Sequence, residues 1–226
     1  MLRFARRRCS LSQRAVVLLV LLAGPAAAGT VSGTVSLVEK NGKAGEPDGA
    51  VVYLEGSKTK ARPITASVSM KGKQFIPRVT VVPVGSTVAF PNDDPIFHNV
   101  FSLSTPNRFD LELYKRPKSG SWTFTSPGLV RVYCNIHPQM SAVLMVVDSA
   151  HFTQPDKGGA FTLEGVPAGR YTLRAWHERG GEETREIEVG AQGTTEVAVV
   201  ALDASKYKRA QHTNKYGKPY SKSDTY

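Results

Sequence analysis

VRVYCNIHPQMSAVLMVV occupies residues 130–147. Two apolar runs flank a short polar turn, and the turn carries Cys134, His137 and Met140 at three-residue intervals. The runs are rich in Val and bounded by Asn135 and Pro138, which predicts two strands joined by a loop. A thiol, an imidazole and a thioether in one loop can be brought to one point. The chain contains one other cysteine, Cys9.

The rest of the body reads the same way. TVSGTVSLV, AVVYLEG, RVTVVPVGSTVAF, SWTFTSPGLVRVYC, GAFTLEGV, YTLRAWHE, REIEVG and TTEVAVVAL are short, rich in Val, Thr and aromatics, and bounded by Gly, Pro, Asn or Asp. Only NRFDLELYK (107–115) carries a helix-like spacing. Many short strands with regular turn signals predict an all-β chain built from sandwiches or Greek-key barrels.

The flanks carry a second pattern. Ala50 to Leu54 reads A-V-V-Y-L, Asp156 to Leu163 reads D-x-x-G-x-F-x-L, and Pro167 to Leu173 reads P-A-G-x-Y-x-L. Together these segments resemble the carboxypeptidase regulatory-like domain, a small Ig-like sandwich. In that family only a short turn separates the two parts, whereas about a hundred residues intervene here. The resemblance implies a split Ig-like domain, residues 29–60 and 149–203, with residues 61–148 inserted as a second domain. Loop ends that lie close together tolerate such insertions.

The first 28 residues are expected to form a signal peptide. Arg6, Arg7, Arg8 and Arg14 precede an apolar run at 15–23, and PAAAG follows. Its removal would leave one cysteine in an exported protein, which suggests a reactive thiol, an intermolecular bridge or a metal ligand. The net charge of +10 is unevenly spread. Five arginines lie in 1–28 and six of the Lys and Arg lie from Ala204 on, leaving 18 basic and 18 acidic residues in 29–203. A neutral body gives no argument for nucleic-acid binding. The basic stretch 204–226 has no aliphatic run and is expected to be a disordered, solvated tail.

FPNDDPIFHNVFS supplies a fourth donor, His98, before a new apolar run. His98, Cys134, His137 and Met140 are the set that a type 1 copper site needs. Thiolate and weak thioether suit Cu(I), imidazoles suit both oxidation states, and the compromise is His₂Cys with a distant Met. Zinc competes for Cys and His, but thioether is a poor zinc ligand. Asp93 and Asp94 flank a proline and read as solvated turn residues. His151, His177 and His212 have no partner spacing and receive no role.

Residues 75–147 resemble a cupredoxin. Phe75, Pro77, Val81, Gly85, Val88, Phe90 and Asn92 follow its entry pattern. His98-Asn99-Val100 matches its H-N-V segment, and Phe124, Pro127-Gly128 and Cys134 its F…P-G-x-x-x-Y-x-C segment, with Tyr133 one residue nearer Cys134 than the pattern's Tyr. The Cys-x-x-His-x-x-Met spacing is that of amicyanin. Ser141-Ala142 departs from a glycine that often follows the axial Met, and Phe97 replaces the usual Pro before His98. The resemblance implies a Greek-key sandwich and copper held by His98, Cys134, His137 and an axial Met140. It also implies that Asn99 ties the ligand loops together and donates toward the Cys134 sulfur.

The expected function is one-electron transfer between exported redox partners, in a periplasm, without bond chemistry of the protein's own. An exported dehydrogenase or c-type cytochrome is the expected class of partner. The edge of His137, near Ile136, Pro138 and Phe97, is the expected electron port. A copper carrier or buffer, and a binding or adhesion module with a non-redox metal site, are the alternatives. No segment beyond the N-terminal one is long and apolar enough to span a membrane.

Overall fold

The computed structural model describes residues 28–208 and 211–220. The expected signal peptide lies outside them but for Ala28. All eighteen elements among the described residues are strands, as the punctuation of the sequence predicts. No helix there is long and apolar enough to cross a membrane.

Residues 65–147 form one sandwich. Its larger sheet orders Phe109–Tyr114, His98–Ser102, Gly128–Tyr133, Ser141–Val147 and Val79–Pro83, the last pair parallel. A smaller sheet orders Ser119–Thr123, Thr87–Pro91 and Thr65–Ser67. Phe90, Phe124, Val100, Val130, Val132 and Leu144 fill the space between them. Each such side chain contributes roughly 1.5–3 kcal/mol on leaving water.

The helix-like spacing at 107–115 proves to be a bulged strand. Phe109 and Tyr114 are both buried in this core. They are five residues apart, which in a regular strand would put them on opposite faces. A register shift between Asp110 and Leu113 adds one residue and restores a common face. Glu112 lies at the shift with φ 56°.

Residues 28–55 and 152–203 form a second sandwich. One sheet orders Ala160–Pro167, Ala28–Val38 and Thr194–Asp203; the other orders Phe152–Thr153, Val51–Glu55, Gly169–His177 and Gly181–Val189. Phe152 pairs with Tyr53, so the segment that enters the first sandwich and the one that returns are neighbours. The motifs of the flanks are its corners. At Asp156–Ala160 the Asp156 side chain accepts the Ala160 N–H at 2.9 Å, and the Asp156 carbonyl accepts the Gly159 N–H at 2.9 Å. Gly159 has φ +87°, and a Cβ there would meet the Val35 carbonyl oxygen at 2.0 Å. In Pro167-Ala168-Gly169-Arg170-Tyr171 the tyrosine hydroxyl donates back to the Pro167 carbonyl at 2.8 Å.

The sandwiches share an apolar seam. Ser141–Val147 is buried on both faces after its first residue. Ala142, Leu144 and Val146 face the first core; Val143, Met145 and Val147 meet Val51 and Trp176 of the second sandwich. At the rim, Glu178 accepts from Arg78 and lies 3.6 Å from Arg131.

Two substitutions separate these features in a denaturant titration. Trp176→Ala empties the seam and is expected to lower stability by about 3–5 kcal/mol. Gly159→Ala acts through the left-handed backbone and the clash with the Val35 carbonyl, and is expected to cost more than about 1–2 kcal/mol, with the seam intact.

Candidate metal centre

The Gly128–Tyr133 and Ser141–Val147 strands are antiparallel, with Tyr133 opposite Ser141. The loop between them therefore closes over residues 134–140. The Met140 carbonyl accepts the Cys134 N–H at 3.3 Å, and the His137 carbonyl accepts the Met140 N–H at 2.9 Å. His98 opens the adjacent strand, whose Phe101 pairs with Tyr133. The hairpin thus supplies three side chains and the neighbouring strand the fourth.

The donor atoms converge. His98 Nδ1 and His137 Nδ1 are 3.0 Å apart, and Cys134 Sγ is 3.6 Å from His137 Nδ1 and 3.9 Å from His98 Nδ1. A triangle with these sides has its centre about 2 Å from each corner, close to metal–imidazole and metal–thiolate bond lengths. His98 and Cys134 are fully buried, Met140 is 1% exposed and His137 3% exposed. Met140 shares the core cluster with Cys134. Cys134 is free of any disulfide. The cluster His98, Cys134, His137 and Met140 matches a type 1 copper site, the donor chemistry suiting copper in both oxidation states.

Protonation agrees with that use. Burial, with the neighbouring His98 and Lys73, pushes the His137 pKa down to about 4, which leaves a neutral ring with a lone pair at pH 7. Burial pushes the Cys134 thiol up, against the N–H groups of Asn99, Ile136 and His137. The thiol therefore holds its proton until a cation displaces it.

Asp94 is the residue that sequence reasoning missed. It was expected in solvent, and Asp93 is indeed exposed, but Asp94 is buried. Its Oδ2 lies 2.8 Å from His98 Nε2 and accepts the Lys73 N–H at 2.9 Å; Oδ1 accepts the Gly72 N–H at 2.8 Å. Burial would raise its pKa, but the Lys73, His98 and Gly72 donors together hold it below the usual carboxylate value. An ionised Asp94 accepts a hydrogen bond from Nε2–H, which keeps the proton on Nε2 and leaves the lone pair of Nδ1 facing the other donors. Asn92 fixes the turn, donating to the Ile96 and Tyr114 carbonyls and accepting the Asp94 N–H, all at 3.0 Å. The only sequence signal for this was the Asn-Asp-Asp-Pro turn itself, which fits a solvated corner as well.

Asn99 departs from expectation in one respect. Its backbone N–H faces the Cys134 sulfur at 3.5 Å. Its side chain does not join the ligand loops. It donates to Asp110 Oδ1 at 2.7 Å and to the Glu112 carbonyl at 3.0 Å, across the bulge of the neighbouring strand. Its own Oδ1 is buried with no partner among the described residues. The expected port is also altered. Phe97 is 49% exposed with Lys115 5.3 Å above its ring, and Ile136 and Pro138 are half-buried, but His137 itself is covered. His151 and His177 are buried away from the centre.

The tail expectation fails over 211–220. His212 stacks on Tyr133 with ring centroids 3.9 Å apart, and the Tyr220 hydroxyl donates to the Cys134 carbonyl at 3.1 Å. Rings and charges that lack an aliphatic core of their own find partners on the loop instead.

No protein-family model matches the chain, and no curated protein does. Solved structures are similar to part of it. A purple cupredoxin from Nitrosopumilus maritimus is 22% identical over 36% of this chain and 99% of its own, with a TM-score of 0.33. An amicyanin from Paracoccus versutus is 19% identical over 42% of this chain and 97% of its own, with a TM-score of 0.33. A copper-containing nitrite reductase from Thermus scotoductus is 30% identical over 41% of this chain, with a TM-score of 0.35. The match spans 24% of the reductase's length.

Asp94→Asn keeps the shape and removes the carboxylate charge that faces His98 Nε2. Loss of an outer partner of this kind is expected to weaken copper binding about 10–100-fold, measured by competition with a chelator.

Proposed function

We propose that this protein is an exported electron carrier with one mononuclear copper site, held by His98 Nδ1, Cys134 Sγ, His137 Nδ1 and, more weakly, the Met140 thioether. The observation that carries the reading is the buried donor triangle, whose centre lies about 2 Å from each donor, near metal–ligand bond lengths. Copper bound there would supply a one-electron couple between Cu(I) and Cu(II). The chain's own residues do the remainder. Asp94 holds His98 in one tautomer. The Asn99 N–H points at the sulfur and draws charge from it. The hairpin hydrogen bonds hold Cys134, His137 and Met140 in one arrangement whichever charge the site carries. Burial keeps water off all four.

Each feature lowers the rearrangement that accompanies gain or loss of an electron. The same burial argues against the copper carrier or buffer reading, because delivering metal to another protein needs donors that a competitor can reach. It argues equally against an enzyme, since substrate would need an open position beside the metal. The proposed partners are exported redox proteins, a dehydrogenase or a c-type cytochrome, docking where Phe97 is exposed beside His98. A small apolar patch suits a brief encounter. Periplasmic location rests on the N-terminal sequence.

The purified protein with Cu(II) should be intensely blue or green from thiolate-to-copper charge transfer. A colourless adduct would refute the reading. Cys134→Ala should abolish the colour, because it removes the charge-bearing ligand. Met140→Leu should keep the colour and raise the reduction potential, since a weak donor to Cu(II) is lost at a packing change below about 1.5 kcal/mol.

A further inference from the structure

HTNKYGKPY (212–220) was expected as free chain, and local turn chemistry shapes it instead. The Asn214 N–H donates to the Lys218 carbonyl at 2.8 Å and the Gly217 N–H to the Asn214 carbonyl at 2.9 Å. Gly217 has φ 75°, and Asn214 Oδ1 accepts the N–H groups of Tyr216 and Lys218 at 3.0 Å. A turn with Asn at its start and Gly in the left-handed region needs no apolar core.

The turn aims Lys215 at the bulged strand. Its Nζ lies 2.8 Å from Asp110 Oδ2 and 2.9 Å from Glu112 Oε2, and its backbone N–H donates to Asn135 Oδ1 at 2.9 Å. Burial would lower the Lys215 pKa, but the two carboxylates overcome it and hold the ammonium charged. On one side of the turn His212 lies on Tyr133, with Nε2 2.6 Å from the Pro138 carbonyl. On the other side Tyr220 reaches the Cys134 carbonyl, and its ring meets His212 edge-on at 5.2 Å. These contacts fall on residues 133, 134, 135 and 138, which surround the Cys134 and His137 donors.

A second line of contact runs beneath the first. Asp110 receives Lys215 on one oxygen and the Asn99 amide on the other, and the Asn99 backbone N–H faces the sulfur. We propose that residues 211–220 are a built-in strap of the metal centre. The strap holds the 133–138 loop directly and, through Lys215, Asp110 and Asn99, holds the N–H that faces the Cys134 sulfur. The inference rests on reading His98, Cys134, His137 and Met140 as a metal site. Lys215, His212 and Tyr220 are positioning residues, since none touches a metal donor atom. Loss of the strap loosens the loop and weakens the hydrogen bond to sulfur. A sulfur richer in charge favours the oxidised metal, so the potential falls.

The test uses the full chain with Lys215→Met and, separately, His212→Ala combined with Tyr220→Phe. Amide hydrogen exchange of residues 133–137 in the metal-free protein reads the loop without reference to copper. Each variant should exchange there about tenfold faster, the scale of one lost net hydrogen bond. With copper loaded, both should release it to a chelator faster by a similar factor and show a lower potential, and Lys215→Arg should restore both readings. Tyr220→Phe alone removes one hydroxyl and serves as the variant least able to disturb folding; it too should speed exchange at residue 135. Unchanged loop exchange in correctly folded variants overturns the strap. If the wild type forms no coloured copper adduct, the metal reading falls while the exchange result still decides whether the strap holds the loop.

Discussion

A strand that is apolar on both faces cannot end a protein; it must be covered twice. Ser141–Val147 is such a strand, and the architecture follows from it. Ala142, Leu144 and Val146 take the core of one sandwich, and Val143, Met145 and Val147 require a second surface, which Val51 and Trp176 provide. The second sandwich is therefore a structural need of the first as well as its neighbour. The same strand starts immediately after Met140, so the packing that buries it on two sides also fixes one end of the metal loop. Strand pairing with Gly128–Tyr133 fixes the other. The donor loop is short and held at both ends by the stiffest part of the chain.

Polar groups in such an interior need partners. Two of the four candidate donors are matched by an outer contact that sets their direction. His98 has Asp94, and Cys134 has the N–H of Asn99. Asp94 is itself held by two further N–H groups from the turn at 72–73. The arrangement keeps lone pairs converging on one point before any metal arrives, and burial makes that convergence costly. A neutral His137 and a protonated Cys134 lessen the cost in the metal-free protein, because no net charge is stranded there. Loss of the thiol proton on metal binding would let the Cys134 thiolate offset one positive charge of the cation, with the Asp94 carboxylate close by on His98.

The bulge in Phe109–Tyr114 connects this centre to the chain's far end. By adding one residue it turns Asp110 and Glu112 so that both the Asn99 amide and the Lys215 ammonium reach them. The shift falls between Asp110 and Leu113, with Glu112 at φ 56°, so the Glu112 carbonyl accepts from the Asn99 amide while its side chain meets Lys215. The bulged strand thus lies between the Asn99 amide and the outlying basic segment and contacts both.

The sequence by itself determined the all-β class, the four candidate donors and the turn motifs. Each rests on local chemistry: β-branched runs bounded by Gly and Pro, a thiol and imidazole at loop spacing, and an Asp-x-x-Gly corner that only glycine fits at Gly159. Tertiary structure alone decided which groups surround the donors. Asp94 reads as a solvated turn residue because nothing local marks the N–H groups of residues 72–73 or the His98 ring that bury it. Asn99 reads as a link between ligand loops because the bulge that redirects it is invisible to strand periodicity. Residues 211–220 read as free chain because composition reports the absence of an apolar core, not the presence of Tyr133, Asp110 and the Cys134 carbonyl across space. Local preference chooses the strands and donor types; contacts between residues far apart in sequence choose their partners, and composition carries no record of those.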